Sequence, residues 1–143
     1  MTSSARSGSR VAERPARRAE PRWLSLETVL ALHAQQVDRF GGSHGVLDIG
    51  AVESAVARPQ NRFHYGEGPD LADLAAVYCF GFAAKQGFVD GNKRIGVAAM
   101  LVFLALNRRP LHVPPDELYA LAMDVANERI TEAQVAEWLR RKL

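Results

Sequence analysis

A chain of 143 residues, 48% apolar and 24% charged, is long enough to bury a core of its own and has the composition of an ordinary globular domain. The net charge of +2 is unevenly placed: residues 1–22 hold six arginines against two glutamates, a local net of +4, which leaves about −2 for the rest. The folded part is therefore not a basic nucleic-acid surface, the single Cys79 excludes an internal disulfide framework, and no apolar run has the length of a secretory signal or a membrane span.

Residues 1–22, rich in Arg, Ser, Ala and Pro and without an apolar stripe, read as a disordered leader, and residues 23–143 as one folded domain in a reducing, cytoplasmic setting. Ser25 can cap a first helix whose apolar face runs Leu26, Val29, Leu30, His33, Val37, and Gly41-Gly42 ends it. A short helical segment from about Ile49 to Ala57 is expected to stop before Pro59. The Gly- and Pro-punctuated residues 59–69 then read as a loop or minimal hairpin, a flap carrying Arg62, Phe63 and His64. Asp70 caps a third helix, with Asp73 in its first turn, through Leu71, Leu74, Tyr78 and Phe82. A helix over about Asn92–Asn107 is apolar on most sides and is expected to be the most buried, with Ile95, Met100 and Leu104 in the core. Pro115 opens the next helix, and Thr131-Glu132-Ala133-Gln134 is a capping box for a last helix on which Trp138 should pack inward. Six helices and no strand beyond a hairpin predict an all-α bundle around a buried central helix.

The chemistry concentrates in Lys85-Gln86-Gly87-Phe88-Val89-Asp90-Gly91-Asn92-Lys93-Arg94, between the third helix and the apolar fourth. The first turn of a helix presents unpaired N–H groups and the positive end of its dipole, which together make an anion site. Gly91 lets a ligand approach the backbone, and Asn92, Lys93 and Arg94 add an amide, a point charge and a guanidinium fork within one turn. Asp90 is the kind of hard oxygen ligand that Mg²⁺ takes when phosphates fill its other positions. Phe88 reads as the packing peg of the loop. The plainer alternative is a solvated Asp-Gly-Asn turn followed by exposed cations.

The loop resembles that of the Fic/Doc family, His-x-Phe-x-Asp/Glu-Gly-Asn-x-Arg, which residues 86–94 follow except at the leading position, Gln86. The similarity extends to Leu24–Glu27 with Val29–Leu32, to Gly50–Pro59 and to Leu101–Asn107, about 120 residues in all. Lys93 in place of glycine, and Val97 in place of a second arginine, resemble the Doc branch rather than the members that transfer AMP. The resemblance implies a kinase that presents ATP the other way round and delivers the γ-phosphate to a protein hydroxyl. In that reading Asp90 holds Mg²⁺, while Gly91, Asn92, Lys93 and Arg94 cradle the phosphates.

The family's loop histidine serves as general base, and Gln86 cannot, because an amide has no useful basicity near neutral pH. Three readings of Gln86 stand: an engineered substitution, a natural lineage that kept binding and lost catalysis, or a base supplied elsewhere, with His64 of the flap as candidate. The nearest approach to the family's internal inhibitory motif, Ser9 to Glu13, is followed by Arg14 and does not complete it. Control in trans is therefore expected, by an antitoxin whose C-terminal segment folds into a groove on the domain. Elongation factor Tu is the target the resemblance implies. The competing readings are AMP transfer, a non-catalytic nucleotide-binding descendant, and nucleic-acid binding through the leader.

Overall fold

The structure, a computed structural model, describes residues 19–143. The leader assigned to residues 1–22 lies outside the described residues as far as residue 18. Its last residues are tied to the domain: the Arg22 N–H donates to Asn107 Oδ1 at 2.8 Å, and Glu20 accepts from Trp23 Nε1 at 2.7 Å. Six helices follow: α1 (Leu26–Phe40), α2 (Ile49–Tyr65), α3 (Leu71–Ala84), α4 (Asn92–Leu106), α5 (Pro115–Ala126) and α6 (Glu132–Lys142). Among the described residues there is no strand, only a single antiparallel bridge between Val46 and Phe88, so the fold is the all-α bundle expected.

The caps follow the residue chemistry. Ser25, Asp48, Asp70 and Thr131 each accept an N–H from the first turn of their helix, and the Asp70–Asp73 and Thr131–Gln134 pairs form reciprocal capping boxes. Gly41, in a positive-φ conformation at +90°, ends α1.

Two expectations are corrected. The most buried helix is α3, not α4. Nine of its fourteen residues are buried against seven of fifteen in α4, because α3 packs on α2, α4 and α6 while α4 leaves Val97, Ala98, Leu101 and Val102 partly at the surface. Ile95, Met100 and Leu104 are nonetheless fully buried. Gly96 makes the α3–α4 contact close, since a Cβ there would overlap the Cys79 carbonyl. Cys79 is itself a core residue whose thiol burial pushes up to about 12, far from any reactive range.

The second correction is the flap. α2 does not stop at Ala57 but continues through Pro59 to Tyr65, so residues 59–65 are helix and there is no hairpin at 60–69. A proline inside a helix costs about 3 kcal/mol or more in isolation. Here burial and ion pairing offset it. Val52, Ala55 and Pro59 are buried, and α2 is tied to α6 by Arg58 at 3.0 Å and Arg62 at 3.8 Å from the Glu132 carboxylate. The true break comes at Gly66, where a Cβ would overlap the Arg62 carbonyl. Trp138 is half-buried against the core, with Lys142 Nζ 5.8 Å from its ring.

Candidate functional site

The segment from Lys85 to Gly91 joins the two central helices and is held along its length. Phe88, 1% exposed, is the buried peg. Asn92 then clamps it: Asn92 Oδ1 accepts from the Phe88 N–H, and Asn92 Nδ2 donates to the Phe88 carbonyl, each at 3.0 Å. On the outer side the loop pairs with residues 45–48. Leu47 and Asp48 N–H groups donate to the Gly87 carbonyl at 2.9 and 3.0 Å, and the Val89 N–H donates to the Gly45 carbonyl at 3.0 Å. Among the described residues the N–H and C=O of Val46 itself have no partner, so a short backbone edge faces outward, flanked by exposed Val46, Leu47, Ile49 and Val89.

α4 opens in an unusual way. Its N-cap is Gly91 at φ +76°, ψ +21°, a left-handed conformation that a side chain would strain, and among the described residues no side chain caps the helix. Among the described residues the amides of Asn92, Lys93 and Arg94 have no acceptor. Lys93 and Arg94 also lack a carboxylate partner among those residues, and Arg94 instead donates to the Gly41 carbonyl at 3.1 Å with its guanidinium over the Phe40 ring. Open amides, the positive end of a dipole and two uncompensated cations make this turn attractive to an anion.

Asp90 borders that turn. Its Oδ1 accepts from the Gly91 N–H at 2.9 Å and its Oδ2 from the Ser43 N–H at 3.3 Å, which orients the carboxylate and leaves lone pairs for a cation. Among the described residues no group of three or more acidic, histidine or cysteine side chains could enclose a metal alone. A Mg²⁺ ion fits such a place only when phosphate oxygens complete its shell, which is how Mg²⁺ is commonly held.

Gln86 is exposed at the start of the loop, its Oε1 3.4 Å from Asn92 Nδ2. The sequence-predicted residues Gln86, Phe88, Asp90, Gly91, Asn92, Lys93 and Arg94 thus lie together in one loop and first turn. The side chain of Asn92 is spent on the loop, so what it offers a ligand is its backbone amide. Arg62, Phe63 and His64 do not join them: Arg62 pairs with Glu132, His64 lies 3.5 Å from Glu20, and Phe63 packs edge-on against Trp23. His64 therefore stands against Glu20 and not against the motif loop. Sequence reasoning missed His33, whose ring stacks on Phe88 and whose Nε2 lies 2.7 Å from the Asp90 carbonyl oxygen. It also missed the 41–48 loop as the outer wall of the site. The signal for His33 was a polar residue in the middle of the Val29–Val37 apolar stripe.

The profile of the Fic/DOC family matches residues 23–104, which include the loop, α4 through Leu104 and the 41–48 wall. The chain is 36% identical over 120 residues to the protein kinase doc of Escherichia phage P1, a match that covers 84% of this chain and 94% of that protein. It is 42% identical over 69 residues to the toxin Doc of Mycolicibacterium smegmatis, covering 48% and 53% respectively. The motif, the bundle and these similarities agree: the chain belongs to the Fic/Doc family, among its Doc-type members.

Proposed function

We propose that this chain is a Doc-like toxin whose site binds Mg²⁺-ATP and is built to pass the γ-phosphate to a hydroxyl of a translation factor, elongation factor Tu, in the cytoplasm. Gln86 at the base position leaves it catalytically impaired. The observation that carries the reading is the first turn of α4, where three amides without an acceptor among the described residues lie beside Lys93, Arg94 and the oriented Asp90 carboxylate. The relative named a protein kinase supports phosphoryl rather than AMP transfer. So does Lys93, a bulky cation where AMP-transferring relatives have glycine.

Bound Mg²⁺-ATP would supply the electrophilic phosphorus. Phosphoryl transfer has a loose transition state, so catalysis rests on positioning and charge. The amides of Asn92, Lys93 and Arg94 would take phosphate oxygens, with the two cations neutralising charge beside them. Asp90 would hold the metal. Gln86 can accept a hydrogen bond from the incoming hydroxyl through Oε1 but cannot remove its proton. The outward edge at Val46, rather than the 60–69 segment, offers an extended stretch of the target a backbone to pair with, beside exposed Val46, Leu47 and Val89.

Toxins of this kind work with an antitoxin, and we assign its C-terminal segment to the open depression of about 520 Å³ lined by Phe63, Pro69, Leu71, Leu74, Asn107 and Leu143. The test of the function is calorimetry with Mg²⁺-ATP on the folded protein, followed by transfer from ATP labelled at the α- or γ-phosphate using Gln86→His. Binding with γ-label transfer supports the reading. The α-label would move the chain to AMP transfer, and no binding would overturn it.

A further inference from the structure

Apart from the tyrosine and cysteine of α3, two polar side chains are buried among the described residues, His33 and Asn92, and both are spent on the motif loop. Asn92 belongs to the motif. His33 comes from α1, where Val29, His33 and Val37 form one buried stripe and an aliphatic residue would fill the same space. The imidazole adds two things that an aliphatic lacks. Its ring lies face to face on Phe88, centroids 3.8 Å apart and planes 11° from parallel. Its Nε2 lies 2.7 Å from the Asp90 carbonyl oxygen, an atom that can only accept, so Nε2 carries the proton.

The peptide between Asp90 and Gly91 is therefore gripped at both ends, its C=O by His33 and its N–H by Asp90 Oδ1. The grip matters because the next bonds along the chain are free to turn. Gly91 has no Cβ and tolerates several backbone conformations, so nothing in the residue itself selects the left-handed one it adopts at φ +76°. If that peptide rotated, the Gly91 N–H would leave Asp90, and the carboxylate and the open amides of α4 would lose their mutual orientation. A Cβ on Gly91 would stand 3.6 Å from His33 Nε2, so the ring lies directly beneath the turn.

We propose that His33 is a positioning residue for the anion-binding turn: its Nε2–H fixes the Asp90–Gly91 peptide, and through it the carboxylate of Asp90 and the first amides of α4. The proposal rests on the phosphate reading of that turn.

Two substitutions separate the roles of the ring. His33→Phe keeps an aromatic face on Phe88 and loses the donor; His33→Gln keeps an N–H donor of similar reach and loses the face. In the wild-type protein, long-range ¹H–¹⁵N spectra should show His33 as the Nε2–H form with a slowly exchanging proton. His33→Phe should stay folded with a modest fall in melting temperature, show exchange broadening at the Gly91 and Asn92 amides, and bind Mg²⁺-ATP about tenfold more weakly, the scale of one lost hydrogen bond. His33→Gln should recover most of that affinity. An Nδ1–H form in the wild type, or a His33→Phe variant with sharp amides and wild-type affinity, overturns the proposal. Should neither variant fold, the wild-type imidazole spectrum decides alone. If the wild type binds no Mg²⁺-ATP while the Gly91 amide still broadens in His33→Phe, the nucleotide reading fails and the positioning role stands.

Discussion

A Cβ on Gly42 would stand 2.8 Å from Asp90 Oδ2, in the space through which the next residue's N–H, that of Ser43, reaches the same oxygen. Gly42 adopts φ +108°, a backbone conformation that side chains avoid. The second glycine of the Gly41-Gly42 pair therefore does more than follow the end of α1: it lets the 41–48 wall lie against the carboxylate proposed to hold the metal. Gly42→Ala should cost on the order of 1–3 kcal/mol from backbone strain. It should also weaken Mg²⁺-dependent nucleotide binding beyond any change in binding without metal. Calorimetry with and without Mg²⁺ checks this, and an equal loss in both would disconnect Gly42 from Asp90.

The Asn92–Phe88 clamp makes a second prediction. Truncation to alanine leaves the Phe88 N–H and C=O both unsatisfied in a buried place, so Asn92→Ala should destabilise the fold by about 2–4 kcal/mol. Asn92→Asp keeps the acceptor for the Phe88 N–H but sets a carboxylate oxygen against the Phe88 carbonyl in place of the Nδ2 donor, so it too should destabilise the fold. It also places a negative charge in the first turn of α4, and should therefore bind nucleotide more weakly than its stability suggests. Denaturant melts beside nucleotide titrations give the comparison. If Asn92→Asp bound Mg²⁺-ATP as the wild type does, the α4 turn would not be the phosphate site.

Gly42 and Asn92 mark where the sequence is legible and where it is not. The starts of most helices are legible because their signals are local: where a Ser, Asp or Thr cap precedes a 3.6-residue stripe, as at Ser25, Asp70 and Thr131, no knowledge of the rest of the chain is needed. The motif loop is legible for the same reason, as its residues are consecutive. Pro59 misleads because what offsets an interior proline is non-local, namely burial of α2 and the ion pairs of Arg58 and Arg62 with Glu132, 74 and 70 residues along the chain. The relative burial of α3 and α4 is hidden because apolar content says how much surface a helix can bury, not how many neighbours it receives. His33 and Gly42 look like no more than a stripe position and a helix stop, since their partners at Phe88 and Asp90 lie about fifty residues away in sequence.

A third prediction concerns acid. Arg140 donates to Asp70 at 2.9 and 3.2 Å, tying α6 to the N-terminus of α3, and this guanidinium holds the Asp70 carboxyl well below its ordinary 3.8, at about 2. Because the folded value is the depressed one, the stabilisation is fully present above about pH 4 and is lost as pH falls from 4 toward 2. The pair is half exposed, so solvent screening limits its worth to on the order of 1 kcal/mol. Asp70→Asn keeps a competent helix cap but removes the charge together with the Oδ2 that accepts from Arg140 Nε. Its urea midpoint should fall below the wild type's at pH 6, and the two curves should converge near pH 2. A gap unchanged across that range would mean the ion pair contributes nothing.

The last prediction concerns Gln86, exposed at the head of the loop with its Oε1 within 3.4 Å of Asn92 Nδ2. A histidine there would carry a group whose ordinary pKa, near 6.5, suits proton removal at neutral pH. General-base catalysis contributes on the order of 100- to 10,000-fold, so Gln86→His should raise γ-phosphate transfer to elongation factor Tu by at least the lower figure. The protein as it stands should be tolerated by growing bacteria, while the Gln86→His form should arrest them. Adding Asp90→Ala should erase the gain, because the carboxylate that would hold the metal is gone while the new base remains. The stability of the three proteins should be measured alongside, since Asp90 also accepts from the Ser43 and Gly91 N–H groups and its loss loosens the 41–48 wall. Equal transfer by the glutamine and histidine forms would mean that position 86 is not where the proton is taken. Transfer by neither form, with Mg²⁺-ATP still bound, would assign the chain to a lineage that kept the nucleotide site and gave up the reaction.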